Sequence, residues 1–221
     1  MKKSLFLSTV LLAACTSVAA AQDQSFYAGL GLGRSSADVT EISSQDILDT
    51  GFSSLSAFQS GSSKSDTAWR IYGGYRFNAN IAGELYYSDL GTFSRDASGT
   101  GVISSPPPIN FSLNSDLKVT GFGAAVLLGM PLADKWSVFA KPGLLYWDAK
   151  RTSTTVASGS TQSGSVDKNG TSPSIGVGAG YAITDKLSAR LEWERFFDVG
   201  DKNTTDKSDI NLFALSLQFT P

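Results

Sequence analysis

The sequence contains no histidine. That removes the side chain most used as a general acid, general base or metal ligand near neutral pH. Its one cysteine, Cys15, lies in the first apolar segment, so the chain beyond it has no thiol nucleophile, disulfide or thiolate metal site. Charged residues make up 17% of the chain, against a usual share of roughly 25%. The balance is slightly acidic, with 18 Lys+Arg and 20 Asp+Glu, and no basic block is present. Such a chain is a poor nucleic-acid binder. No run approaches about 18 consecutive apolar residues, so no helix is expected to span a membrane. The remaining classes are a secreted soluble protein and a closed transmembrane barrel.

The N-terminus carries an export signal. Met1-Lys2-Lys3 is basic, Ser4 to Ala14 is apolar, and Ala19-Ala20-Ala21 precedes Gln22. This pattern fits a secretory signal over residues 1–21, cleaved between Ala21 and Gln22. A rival reading is that Leu12-Ala13-Ala14-Cys15 resembles a lipobox, with Cys15 as a lipidated N-terminus. Residues 22–221 are expected to form one domain.

That region is a series of alternating segments. The strands are expected at Ser25–Arg34, Thr67–Phe77, Ile81–Leu90, Val119–Met130, Trp136–Ala149, Pro173–Ala182, Leu187–Phe196 and Ile210–Phe219. In the first, Phe26, Ala28, Leu30 and Leu32 alternate with Tyr27, Gly29, Gly31 and Gly33. In the seventh, Leu187, Ala189, Leu191 and Trp193 alternate with Ser188, Arg190, Glu192 and Glu194. Repeated period-2 alternation over about 10 residues is the signature of barrel strands. Connections after even strands are short (Asn78-Ala79-Asn80, Pro131 to Lys135, Ile183 to Lys186). Those after odd strands are expected to be long, polar loops, the longest from Ser35 to Asp66. Pro142 interrupts the fifth strand beside Gly143, which predicts a bulge or bend.

Alternation alone leaves a soluble barrel open. Four features favour an outer-membrane barrel: the export signal, the asymmetry of the connections, the glycines on the charged face, and the aromatics on the apolar face. A small eight-stranded barrel has little interior room, which suits a glycine-rich inner face. Trp69, Phe77, Tyr87, Trp136, Tyr146, Tyr181, Trp193 and Phe219 lie on the apolar face, many near strand ends, as interface girdles require. The expected fold is an all-β, eight-stranded, antiparallel up-and-down transmembrane barrel with short periplasmic turns and long extracellular loops.

Particular residues add to this. Gly73-Gly74-Tyr75-Arg76-Phe77-Asn78, then Gly83-Glu84-Leu85-Tyr86-Tyr87 and Leu90-Gly91, resembles the second and third strands of the OmpA-like transmembrane barrel family. Tyr181-Ala182-Ile183-Thr184, then Ala189-Arg190-Leu191-Glu192-Trp193, resembles its sixth and seventh strands. The likeness implies a barrel in the outer membrane of a Gram-negative-type bacterium, surrounded by lipid and lipopolysaccharide. It also implies an interior carboxylate on the third strand facing an arginine on the seventh, here Glu84 and Arg190. The family's second pair, lysine and glutamate, is replaced by Leu127 and Gly180, which implies a more open lumen there. Full-length family members continue into a periplasmic peptidoglycan-binding domain; this chain stops at Pro221, so that role is not expected. The family's terminal aromatic, read by the assembly machinery, corresponds to Phe219, offset here by Thr220-Pro221.

Inward charges in a narrow lumen must pair. The candidates are Arg70, Arg76, Glu84, Lys141, Arg190, Glu192 and Glu194. They either plug the barrel as a salt-bridge network or gate a narrow pore. Glu192 and Glu194, two residues apart on one face, fit a solvated inner rim better than a paired-carboxylate catalyst. With histidine missing, no enzyme activity and no cofactor are expected.

The loops carry weaker signals. Asp198, Asp201, Asn203, Asp206 and Asp209 lack the glycine and terminal glutamate of a calcium loop, so no metal is expected. Ile47, Leu48, Phe52, Leu55 and Phe58 recur at near-helical spacing behind a capping sequence, Ser43 to Asp46. They either pack over the barrel mouth or mark a partner surface. Pro106-Pro107-Pro108 stiffens the second loop. The expected role is structural, with loops that meet a host or extracellular ligand; a narrow porin is the alternative.

Overall fold

The computed structural model describes residues 25–103, 107–201 and 207–221. The expected signal, its cleavage point at Ala21 and Gln22, and Cys15 lie outside the described residues, as do Pro106, Asn203 and Asp206.

The elements run β1 (Ser25–Ala37), α1 (Ser44–Leu48), β2 (Ser54–Ser63), β3 (Ser65–Arg76), β4 (Ile81–Val102), β5 (Ile109–Ala133), β6 (Trp136–Ala157), β7 (Ser160–Ala182), β8 (Leu187–Val199) and β9 (Ser208–Phe219). Sheet neighbours follow the order β2-β4-β3-β1-β9-β8-β7-β6-β5, and β4 also pairs with β5. That last pairing closes a barrel of eight antiparallel strands, with β2 as an additional strand outside the ring. Closure gives the backbone groups of the spanning segments partners within the sheet, which lipid cannot provide.

The faces divide as the alternation requires. Phe26, Leu30 and Leu32 point out while Tyr27 is buried inside. The short connections are tight for local reasons. Asn78 Oδ1 accepts from the Asn80 and Ile81 amides, each at 2.9 Å. Thr184 Oγ1 accepts from the Leu187 amide at 3.0 Å.

At the other end the expected loops are largely absent. β4 continues to Val102 and meets β5 from Ile109, while β6 and β7 pair from Trp136↔Tyr181 to Ala157↔Ser160. The second and third connections are therefore tall hairpins. A polar segment can sustain a strand in water when its ladder is uninterrupted, and polarity alone does not mark it as a loop. The β6–β7 hairpin closes on Ser158-Gly159, both at positive φ (52° and 77°), the backbone that a two-residue hairpin turn demands. By contrast β1, β8 and β9 stop low. The rim is a tall wall of β4 to β7 beside a low wall of β8, β9, β1 and β3.

The first connection also holds structure. Ser43 caps α1 reciprocally with Asp46: the Asp46 amide donates to Ser43 Oγ at 3.2 Å, and the Ser43 amide donates to Asp46 Oδ2 at 2.8 Å. The helical spacing holds only for this turn; Leu55 and Phe58 lie on β2. β2 takes over the pairing of β3 along upper β4, from Ser63↔Ser94 to Ser54↔Val102.

Pro142 does not create a bulge. The β6–β7 ladder runs through Pro142↔Ile175 without a shift. On the β5 side pairing pauses between Ala125↔Gly143 and Leu128↔Ala140 and resumes in the same register. Pro142 lacks an N–H on that side, so it costs rungs and adds no residue. A bulge lies instead between Asp89 and Thr92 of β4. Gly91 there adopts φ 86°, and a Cβ on it would lie 2.7 Å from that of Asp66. The extra residue reverses the parity of β4: Glu84, Tyr86, Ser88 and Leu90 face inward below, and Phe93 and Ala97 above.

Candidate functional site: the closed interior and the raised rim

The inner face carries charge at the centre of the lower barrel. Arg70 comes from β3, Glu84 from β4, Lys141 from β6, and Arg190, Glu192 and Glu194 from β8. All six are buried. Lys141 Nζ sits 2.9 Å from Glu84, 3.0 Å from Glu192 and 3.2 Å from Glu194. Arg190 reaches Glu84 at 2.7 Å and Glu192 at 2.5 Å. Arg70 pairs with Glu192 and reaches Glu194 at 2.7 Å. Three cations meet three carboxylates, so the layer is neutral. Each carboxylate touches two or more cations, which offsets the desolvation that an isolated buried charge would suffer.

Neutral groups add to the shell. Arg70 Nε donates to Ser88 Oγ at 2.8 Å. The Ser174 and Tyr86 hydroxyls donate to Glu194 at 3.0 and 3.2 Å. The cations also stack on aromatic faces. Arg70 lies 4.3 Å from the centre of the Tyr86 ring, and Lys141 Nζ 4.5 Å from the same ring. Arg190 lies between Tyr72 at 4.6 Å and Phe139 at 4.8 Å. The inward glycines seat these rings. A Cβ on Gly123 would fall 2.0 Å from a Tyr86 ring carbon, and one on Gly74 2.3 Å from Tyr27.

Two expected placements change. Arg76 is exposed at the short-turn mouth, where it lines a cavity with Tyr27 and Arg190, and among the described residues it makes no ion pair with the ionic layer. Glu192 and Glu194 do not form a solvated rim; Glu194 is 0% exposed, because Arg70, Lys141 and Arg190 surround this strand. The cavity at that mouth holds about 450 Å³ and reaches Leu127, Gly180 and Arg190.

Above the ionic layer the interior turns apolar. Leu90, Val119, Leu145, Phe196, Ile210 and Leu212 all point inward and are fully buried. This layer went unread in the sequence. Leu212 and Ile210 continue the inward parity of Ser216, and Leu145 that of Lys141, so the alternation did contain it. A second cavity of about 700 Å³ lies above, lined by Ile42, Ile47, Phe93, Arg95 and Leu117 among others. Ionic and apolar layers together separate the two cavities.

On the outer face, Trp69, Phe77, Trp136, Tyr146, Trp193 and Phe219 are exposed, and Tyr87 and Tyr181 half-buried. Trp69, Tyr87 and Phe122 form one chain across three strands, with ring centres 5.5 and 4.9 Å apart. Trp136 and Tyr181 meet at 4.9 Å nearer the short-turn end. Of the acidic fourth connection, Asp198 and Asp209 serve local backbone order: the Asp198 amide donates to Asp209 at 2.9 Å.

A closed eight-stranded barrel with an apolar exterior and an ion-paired interior defines the class of small outer-membrane barrels. The model of the OmpA-like transmembrane domain matches residues 21–221, and the chain belongs to that family. It sits in the Gram-negative outer membrane. Outer membrane protein A of Salmonella typhi is 28% identical over 223 residues, covering 99% of this chain and 55% of that protein. That of Shigella flexneri is 27% identical, covering 99% and 56%. The chain thus spans about half the length of the curated relatives it matches. Among solved structures, Neisserial surface protein A aligns over 90% of this chain and 99% of its own, at 15% identity and a TM-score of 0.48. Ail, the attachment invasion locus protein of Yersinia pestis, aligns over 89% and 99%, at 12% and 0.42.

Proposed function

We propose that this barrel is a non-enzymatic surface-presenting protein: the closed lower part anchors it in lipid, and the raised β4–β7 wall meets ligands outside the cell. The carrying observation is the double closure of the interior beneath a tall, water-exposed wall. An ion layer and an apolar layer both stand in the path a solute would take, whereas residues 160–169 of β7 are exposed throughout. The outward aromatics set the depth of the barrel in the lipid and lipopolysaccharide leaflets, and the β9 strand with Phe219 engages the assembly machinery.

Shortening the tall hairpin tests the reading. Ala149 and Lys168 are a hydrogen-bonded cross-strand pair, so residues 150–167 can be replaced by a two-residue Asn-Gly turn between them. The shortened barrel is expected to assemble, shown by a heat-dependent gel shift, while cells bearing it lose adherence to matrix-coated surfaces. Unchanged adherence would overturn the proposal. The narrow-porin alternative requires opening of both layers and is read separately by conductance.

A further inference from the structure

The tall wall has two upright borders, β2 and β7, and they are finished differently. Upper β2 carries a register shift between Ser56 and Gln59, with Ala57 at φ 52°. The first connection packs beside it, and Ser62 Oγ donates to Glu41 at 3.3 Å. These features blunt an edge. Among the described residues upper β7 has none of them. It pairs with β6 without a shift up to Ser160, but its pairing with β8 begins only at Ser174. Ser160 to Asn169 are exposed on both faces.

The register shows which backbone groups are unspent. Across a two-residue turn, Ala157 and Ser160 form the first hydrogen-bonded pair. Even-numbered residues of upper β7 therefore direct their N–H and C=O toward β6. Thr161, Ser163, Ser165, Asp167 and Asn169 direct theirs to the open side. The two prolines of these strands agree with this register. Pro142 on β6 loses its rungs on the β5 side, and Pro173 on β7 stands on the β8 side just above the last β8 pair.

We infer that the free β7 edge, Ser160–Asn169, binds an extended polypeptide segment as an added strand, in the place that β8 leaves vacant. An alternating row of donors and acceptors at strand spacing is matched by another backbone. The added strand would continue the β7–β8 ladder upward. Charge narrows the partner. On the outer face Asp167 stands opposite Lys150. On the inner face Lys168 stands opposite Ala149 and has no ion-pair partner among the described residues. The occupant is thus an extended segment with an acidic side chain on the face that meets Lys168. The inference rests on the surface-presenting reading and names its partner class.

The test uses the refolded full barrel in lipid nanodiscs and a fluorescent peptide of five Thr-Glu repeats. Saturable binding is expected, with amide exchange slowed at residues 161, 163, 165, 167 and 169 and unchanged at the even positions between them. Ser163→Pro with Ser165→Pro removes two edge donors and no β6 rung, and is expected to weaken binding by about tenfold or more. The matching alanine pair keeps the donors and is expected to bind as the parent does. Lys168→Glu is expected to shift preference to a peptide of five Thr-Lys repeats. Absent saturable binding, binding indifferent to the proline pair, or protection away from the odd positions would each overturn the edge. Equal binding of both peptides to parent and Lys168→Glu would overturn the acidic partner. A heat-dependent gel shift confirms folding of each variant. If peptide binding fails while the shortened hairpin still abolishes adherence, the edge is wrong and surface presentation stands.

Discussion

The lower and upper halves of the interior occupy the same barrel and solve the same problem with opposite chemistry. Below, three cations and three carboxylates fill the cross-section around Lys141. Above, Leu90, Leu145, Phe196 and Leu212 fill it with hydrocarbon. The ionic layer depends on balance, because each member is tolerable only while its partners remain. The apolar layer depends on volume, because its members lose contacts in proportion to the space left behind. Alternating polarity along one strand therefore specifies an inside without specifying what kind of inside it is.

This contrast predicts an ordered set of effects on unfolding by urea in phospholipid vesicles, followed by tryptophan fluorescence. Lys141→Met leaves three buried carboxylates facing two arginines and is expected to destabilise by about 4 kcal/mol. Adding Glu192→Gln restores balance and is expected to return much of that loss. If the double variant is no more stable than the single one, charge balance does not govern the lower layer. Phe196→Ala opens the upper layer and is expected to cost about 3 kcal/mol, with no partner substitution of charge able to repair it. Gly123→Val drives a side chain into the Tyr86 ring beneath the Arg70 and Lys141 cations, an overpacking cost of about 2 kcal/mol. An unperturbed Gly123→Val barrel would mean that Tyr86 is not seated there.

The smallest effect lies outside both layers, on α1. Ser43→Ala removes the cap and is expected to cost that helix about 1 kcal/mol, seen as faster amide exchange at Asp49 and Thr50 with the barrel unchanged. Hydrogen bonds from the Ser43 amide and hydroxyl hold the Asp46 carboxyl below its ordinary range. Its folded pKa is the lower one, so the stabilisation is present above the unfolded carboxylate pKa of about 3.9 and disappears as pH falls through the depressed value. Exchange at α1 should therefore rise in acid, and Ser43→Ala, which keeps the larger contribution from the residue 43 amide and loses only that of the hydroxyl, should lessen that pH dependence without abolishing it.

The spanning part of the fold was legible because lipid and lumen impose opposite demands on successive residues. Phe26, Leu30 and Leu32 declared the outer face, and Arg190 and Glu192 the inner one. Glu84 and Arg190 came through resemblance, and in the structure they stand 2.7 Å apart. The position of Lys141 among all three carboxylates was not legible, since pairing across four strands depends on tilt and register that one sequence does not state. Beyond the membrane the rule lapses. Residues 160–169 are polar apart from Gly164 and Val166, so nothing in their pattern separates a strand in water from a loop. The bulge at Leu90-Gly91 also breaks parity in β4, which concealed Phe93 and Ala97 as inward residues.

The most direct test of a doubly closed interior is single-channel conductance of the refolded barrel in a planar lipid bilayer. The parent is expected to be silent. Glu84→Ala and Phe196→Ala, each opening one layer, are expected to stay silent too, because the other layer still closes the path. Regular conductance steps from the parent, altered by Glu84→Ala or Arg190→Ala, would contradict the account and make the lumen a gated pore.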